Sequence, residues 1–146
     1  MTLDELQEDW SKDSVIDKSE LENESLNTTR LHAKYWIYLC REQLILDNAR
    51  GELAILRLGK RDFYLYGHTE ETKKAGWILP ARGANPVKAE IPDYLAADPD
   101  IIKATHKISY QNEKVSFLES VIKMILGRNY IISNAITIRK YEGGVG

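Results

Sequence analysis

The sequence predicts a mainly α-helical protein built on two long helices, and three observations carry that prediction. Apolar residues recur at helical spacing from Leu21 to Leu56 and again from Ile101 to Ile136. A helix-start signal stands ahead of each run. Between them, glycines at 67, 76 and 83 and prolines at 80, 86, 92 and 99 break residues 67–99. No long helix can pass through that segment.

The elements follow in chain order. Thr2-Leu3-Asp4-Glu5 reads as a capping box, in which Thr2 covers orphan amides and Glu5 reaches back. A short helix to about Lys12 follows, with Leu3, Leu6 and Trp10 on one face. Asp17 reads as the cap of the next helix. Leu21, Thr28, Leu31, Tyr35, Tyr38, Ile45, Ala49, Leu53 and Leu56 then recur at intervals of three, four or seven. They predict a long helix from about Lys18 to Leu56 or beyond. Gly51 and Gly59 weaken it, each by about 1 kcal/mol relative to alanine. Asp62–Tyr66 can finish this helix or form a short strand, since aromatic residues suit a pleated surface.

Residues 67–98 read as an irregular connection with room for a short β-hairpin. Asp98-Pro99-Asp100 combines a cap, a proline at the first helical position and an acid beside the helix dipole. The second long helix therefore starts there and runs to about Arg139, with a kink expected near Gly127-Arg128-Asn129. Gly143, Gly144 and Gly146 read as a frayed tail.

The length suits a single domain over 1–146. Its parts are N-terminal helices with a basic–aromatic segment (1–66), a connection (67–98) and an oligomerisation helix (99–146). The last third carries Val121, Ile122, Met124, Ile125, Leu126, Tyr130, Ile131, Ile132, Ile136 and Ile138. A helix apolar on more than one face is covered on more than one side. Neighbouring subunits are the expected cover, and Leu118, Ile122, Ile125, Ile132 and Ile136 are the expected contacts, in a homo-oligomer larger than a tetramer.

Composition excludes several classes. The single cysteine, Cys40, has no intrachain disulfide partner and reads as a small buried residue. No apolar run is long enough for a membrane span, and the N-terminus lacks the regions of a signal peptide, so a soluble intracellular protein is expected. His32, His68 and His106 are scattered, with no HExxH or CxxC, so neither a metal site nor a cofactor is expected. No GxxxxGK[ST] phosphate cradle is present. Asp47, Glu52 and Asp62 read as helix-surface partners for Arg50 and Arg57 rather than as a catalytic cluster. The sequence does not read as an enzyme.

Charge is segregated. Residues 1–28 hold nine acids against two bases, a net of −7; residues 29–62 hold four acids against seven bases, a net of +3. Within the second stretch, Arg57, Lys60 and Arg61 precede Phe63, Tyr64 and Tyr66. Cations that track phosphates beside rings that stack on unpaired bases suit a single-stranded nucleic acid. The plainer reading is a helix end whose rings enter the core while its cations face water. Arg57, Lys60, Arg61, Tyr64 and Tyr66 are the first candidate contacts, and Lys73, Lys74, Arg82 and Lys88 of the connection are the reserve. A structural coiled-coil or scaffold oligomer without nucleic-acid binding is the alternative class.

Ordered local matches point to a family. Leu3 to Asp17 resembles an L-x-x-L-Q-E-x-x-x-x-D-x-x-I-D opening. Ala33-Lys34-Tyr35-Trp36, Lys60-Arg61-Asp62-Phe63-Tyr64 and Ala97-Asp98-Pro99-Asp100-Ile101-Ile102-Lys103 follow in family order. Together they resemble UvsY, the recombination mediator family of T-even-like phages. That resemblance implies a non-enzymatic ring-like homo-oligomer of six or seven subunits in the cytoplasm of an infected bacterial host. It implies binding to single-stranded DNA, displacement of the phage single-stranded-DNA-binding protein and loading of the RecA-like recombinase UvsX. The family's DNA-binding arginine falls on Lys60, and its lysine falls on Leu58, which carries no charge. Arg57 and Arg61 flank both positions.

Overall fold

The structure is a computed structural model that describes residues 1–143, apart from the side chains of Ala81 and Arg82. Six α-helices occur among the described residues, with no strand: α1 (Leu3–Asp13), α2 (Leu21–Tyr66), α3 (Glu70–Lys74), α4 (Pro80–Gly83), α5 (Ile91–Ala97) and α6 (Pro99–Glu142). A 3-10 turn, Lys88–Glu90, precedes α5. The chain divides into two compact units, Met1–Leu44 with Gln111–Gly146, and Ile45–Tyr110.

The capping box forms as the sequence predicts: Thr2 Oγ1 accepts from the Glu5 amide at 3.1 Å, and Glu5 accepts from the Thr2 amide at 3.0 Å. The second cap differs. Asp17 accepts from the amide and hydroxyl of Ser19 and closes a local turn, and α2 begins only at Leu21. An aspartate two residues ahead of a free amide bonds locally before a helix can claim it. Helix α2 then runs through Gly51, Gly59 and Asp62–Tyr66, so that last stretch is helix rather than strand. The expected irregular connection, or β-hairpin, is corrected too: residues 67–98 hold three short helices and the 3-10 turn. Helix α6 starts as predicted and continues as α-helix through Gly127. Of the expected glycine tail, Gly144 and Gly146 lie outside the described residues.

In the first unit, α1, the first part of α2 and the second part of α6 bury one apolar core. Leu6, Leu31, Tyr35, Leu118, Val121, Ile122 and Ile125 form it. Polar groups line its edge. Lys34 Nζ lies 2.6 Å from Asp13 and 3.4 Å from Asp9, and Tyr35 donates to Asp13 at 2.8 Å. Glu42 accepts from Lys114 at 2.8 Å and from Gln111 Nε2 at 2.5 Å. Arg128 pairs with Glu24, and the Thr28 hydroxyl donates to Asn129 at 2.9 Å. The residues where a kink is expected thus tie α6 to α2.

The residues expected as oligomer contacts lie in or beside this core. Leu118, Ile122, Ile125 and Ile132 are buried within the protomer itself, and Ile136 is half-buried. Three helices supply enough apolar surface to cover them without a neighbour. The exposed apolar residues of this part of α6 are instead Met124, Leu126, Tyr130, Ile131, Ile138 and Tyr141. Cys40, expected inside, is exposed.

Candidate nucleic-acid interface

The basic–aromatic segment lies in the second unit, on the last turns of α2. Its residues separate into two sets by depth. Lys60 is 4% exposed, while Arg57 and Arg61 are exposed and Tyr66 is 81% exposed. Tyr64 is buried.

Lys60 and Tyr64, one turn apart, converge on Asp98, the residue that caps α6. Lys60 Nζ lies 3.2 Å from Asp98 Oδ2 and 2.8 Å from Asp100 Oδ2, and the Tyr64 hydroxyl donates to Asp98 Oδ2. The other oxygen, Oδ1, accepts from the amides of Asp100 at 2.9 Å and Ile101 at 3.1 Å. Burial would raise the Asp98 carboxyl, but the Tyr64 hydroxyl, the Ile101 amide and the Lys60 ammonium outweigh it and hold it below the usual carboxylate range. The Tyr64 phenol is pushed up, first by burial and then by donating to Asp98. A buried charge is tolerated only when paired and hydrogen-bonded, and these three groups satisfy one another.

Rings complete the cluster. Phe63, Tyr64, Leu79 and Ile91 form its buried apolar part, with Trp77, Tyr94 and Leu95 packed against it. Lys60 Nζ sits 4.1 Å from the centroid of Trp77, a cation–π contact. Trp77 meets Phe63 edge-on at 5.5 Å and lies against α2 at Gly59, where a β-carbon would stand 3.5 Å from its ring. Gly67, at φ +86°, turns the chain out of α2 in a conformation that side chains disfavour.

The predicted contacts therefore part company. The position aligned with the family's arginine, Lys60, is a buried cation paired with Asp98 and Asp100, and Tyr64 is buried with it, donating to the same Asp98. Leu58, aligned with the family's lysine, is 58% exposed and uncharged. Arg57 and Arg61 share one exposed stripe of α2, a turn apart. Arg50, seven residues before Arg57, falls on the same stripe and meets Asp47 across 4.0 Å at the surface. Sequence reading took Arg50 only as an ion-pair partner; its spacing to Arg57 and Arg61 is the signal that places all three together. Lys103 and Lys107, exposed a turn apart on α6, were also missed. In the reserve set, Lys73, Lys74 and Lys88 are exposed, and the Arg82 side chain lies outside the described residues.

On the face of α2 opposite this stripe lies a cleft of about 500 Å³, walled by Phe63, Tyr66 and Trp77 and edged by Asp62 and Glu71. No group of residues among those described could hold a metal ion, and no described helix is long and apolar enough to cross a membrane.

The last turns of α2 thus present exposed guanidinium groups beside a buried ionic cluster. The comparisons name the class. The chain belongs to the UvsY family of recombination, repair and single-stranded-DNA-binding proteins, whose model matches residues 9–145. It is 24% identical over 148 residues to the recombination protein uvsY of Enterobacteria phage T4, covering 99% of each chain. Its fold is that of crystal structures of the bacteriophage T4 recombination mediator protein UvsY. One matches with a TM-score of 0.80 at 21% identity over 99% of both chains. Another matches with a TM-score of 0.78 at 21% identity, over 97% of this chain and 99% of that one. The single-stranded-DNA-binding class thus prevails over the scaffold alternative.

Proposed function

We propose that this protein is a recombination mediator. It binds single-stranded DNA through the Arg50–Arg57–Arg61 stripe and loads a RecA-like recombinase, UvsX in the family, onto strands covered by single-stranded-DNA-binding protein. The observation that supports it most is the pair Arg57 and Arg61, exposed on a helix whose neighbouring lysine is locked inside. The protein works as a ring-like homo-oligomer of six or seven copies. Three guanidinium groups bind weakly, and repetition around a ring raises their effective concentration. Exposed apolar residues of α6, among them Tyr130, Ile131 and Ile138, are the surface available for that assembly.

The test is binding to fluorescently labelled oligo-dT across a salt series. Each phosphate neutralised on a single strand contributes about 0.7 to the slope of log affinity against log salt. Arg57→Ala with Arg61→Ala should flatten the slope by about 1.4 per protomer engaged, twice the single-phosphate value, and weaken binding. The same variant should lose the ability to shorten the lag of recombinase assembly on covered strands. Wild-type slope and affinity in the double variant would rule out this stripe.

A further inference from the structure

The cleft on the far face of α2 takes no part in the binding stripe, and its lining has a defined character. Phe63, Tyr66 and Trp77 wall it, and Gly59 leaves its floor without a side chain. Tyr66 is 81% exposed, so its ring is open to a ligand. Asp62 and Glu71 are exposed at the edge, and neither carboxylate has an ion pair or side-chain hydrogen bond among the described residues. No lysine or arginine among the described residues lines the space. Lys60, which lies over the Trp77 ring, already has Asp98 and Asp100 as partners. The charge that the cleft offers a ligand is therefore negative. The Tyr66 hydroxyl and the Trp77 indole N–H add donors that suit carbonyl oxygens. The volume lies in the range of about 300–1,000 Å³ typical of small-ligand sites.

We infer that this cleft docks an arginine side chain presented by a partner protein. Aromatic faces attract cations through the ring quadrupole, guanidinium groups most often. The molecule already makes one such pair internally, Lys60 over Trp77 at 4.1 Å. A carboxylate beside the ring adds a charge-assisted hydrogen bond. Arginine meets both demands better than lysine, since its flat guanidinium stacks on a ring and offers a carboxylate two parallel N–H groups. The donors of Tyr66 and Trp77 suit the peptide carbonyls on either side of that arginine, which favours a protein segment over a free cation. A nucleic acid fits poorly, because the two unpaired carboxylates repel its phosphates. The arginines of the stripe stand on the opposite face of α2, so a protein seated here leaves Arg57 and Arg61 uncovered. Docking at the cleft is a contact of its own and needs no bound strand.

Calorimetric titration of the intact protein, with no DNA present, compares capped short peptides that differ only at the central position: arginine, lysine, citrulline or leucine, flanked by glycines. The arginine peptide should bind about tenfold tighter than its citrulline twin, the size of one charge-assisted hydrogen bond, with lysine between them. Asp62→Asn with Glu71→Gln should weaken the arginine peptide about tenfold and leave the citrulline peptide unchanged. Tyr66→Ala should weaken the arginine peptide about two- to fivefold, the size of an exposed cation–π contact. All three side chains are exposed, so both variants should keep the wild-type circular dichroism and unfolding midpoint. Equal binding of the citrulline or leucine peptide by the wild type overturns the inference, and so does a lysine peptide that binds tighter than the arginine one. Loss of assembly in the Asp62–Glu71 variant, read by sedimentation, overturns it by making the cleft the seat of a second copy. Weaker oligo-dT binding by Tyr66→Ala overturns it by making the cleft part of the DNA path.

Discussion

The two units use the same three groups, a lysine, an aspartate and a tyrosine, and put them in different places. In the first unit Lys34, Asp13 and Tyr35 sit at the rim of an aliphatic core, and the Lys34 side chain is 28% exposed. In the second, Lys60, Asp98 and Tyr64 lie inside a ring of aromatic residues, and the Lys60 side chain is 5% exposed. Both units bury an apolar cluster; the first keeps its ion pair at the rim and the second keeps its ion pair inside. Depth, not chemistry, decides whether a lysine is available to a ligand.

The largest effect should come from attacking each core with charge. Ile125→Asp places a carboxylate among Leu118, Val121 and Leu31, where nothing can pair with it. It should cost more than about 4 kcal/mol, in the range reserved for gross core damage, and unfold the first unit. Ile131→Asp, on the exposed side of the same helix, should leave stability within about 0.5 kcal/mol and act only on the proposed assembly. Urea unfolding and sedimentation together separate the two. A native fold in the Ile125 variant would mean that its core packing is wrong.

The lysines provide the sharper comparison. Lys60→Ala strands Asp98 without its cation and should destabilise by about 3–5 kcal/mol, as breaking a buried pair does. Lys34→Ala leaves Asp9 and Asp13 near water and should cost about 1 kcal/mol or less. Any loss of DNA binding on changing Lys60 should then follow the loss of folded protein. It should also leave the salt slope of the folded fraction intact, unlike changes at Arg57 and Arg61. Equal costs at the two lysines in chemical unfolding would erase the distinction between the units.

The smallest effects concern pH. The carboxyls of Asp13 and Asp98 are both held low, against burial, by their hydrogen-bonding partners. A depressed folded value contributes stability that is complete above the ordinary aspartate value of about 3.9 and is lost as pH falls below it. Both units should therefore weaken in acid. The phenols of Tyr35 and Tyr64 are pushed up, first by burial and next by donating to their aspartates, and Tyr38 is raised likewise. The unfolded chain ionises its tyrosines from about pH 10, and the folded one does so later at these sites, so stability falls as pH rises past that point. Ultraviolet titration should show these three ionising after the rest. Simultaneous ionisation of all the tyrosines in folded protein would contradict the burial described.

Much of the helical framework was legible because it is written locally. Capping boxes, proline at a first turn and apolar spacing act within a few residues, which is why α1 and the start of α6 fall where expected. Asp17 misled because its nearest free amide belongs to Ser19, a competition that the cap pattern does not display. The connection of 67–98 was read as irregular because its helices are too short to show a period.

The sequence by itself determined α1, the two long helices, the absence of a phosphate cradle, and the concentration of cations and rings near the end of α2. Only the tertiary structure decided which of those cations remain available. Lys60 and Arg61 are neighbours in the chain and differ by a third of a turn on the helix. That rotation carries one to Asp98, 38 residues away, and the other to water. Burial depends on which surface folds back over a given face, and no local pattern encodes that. The same reason moved Ile125 and Ile132 from a presumed subunit contact into the protomer's own core, once α1 and α2 were in place to cover them.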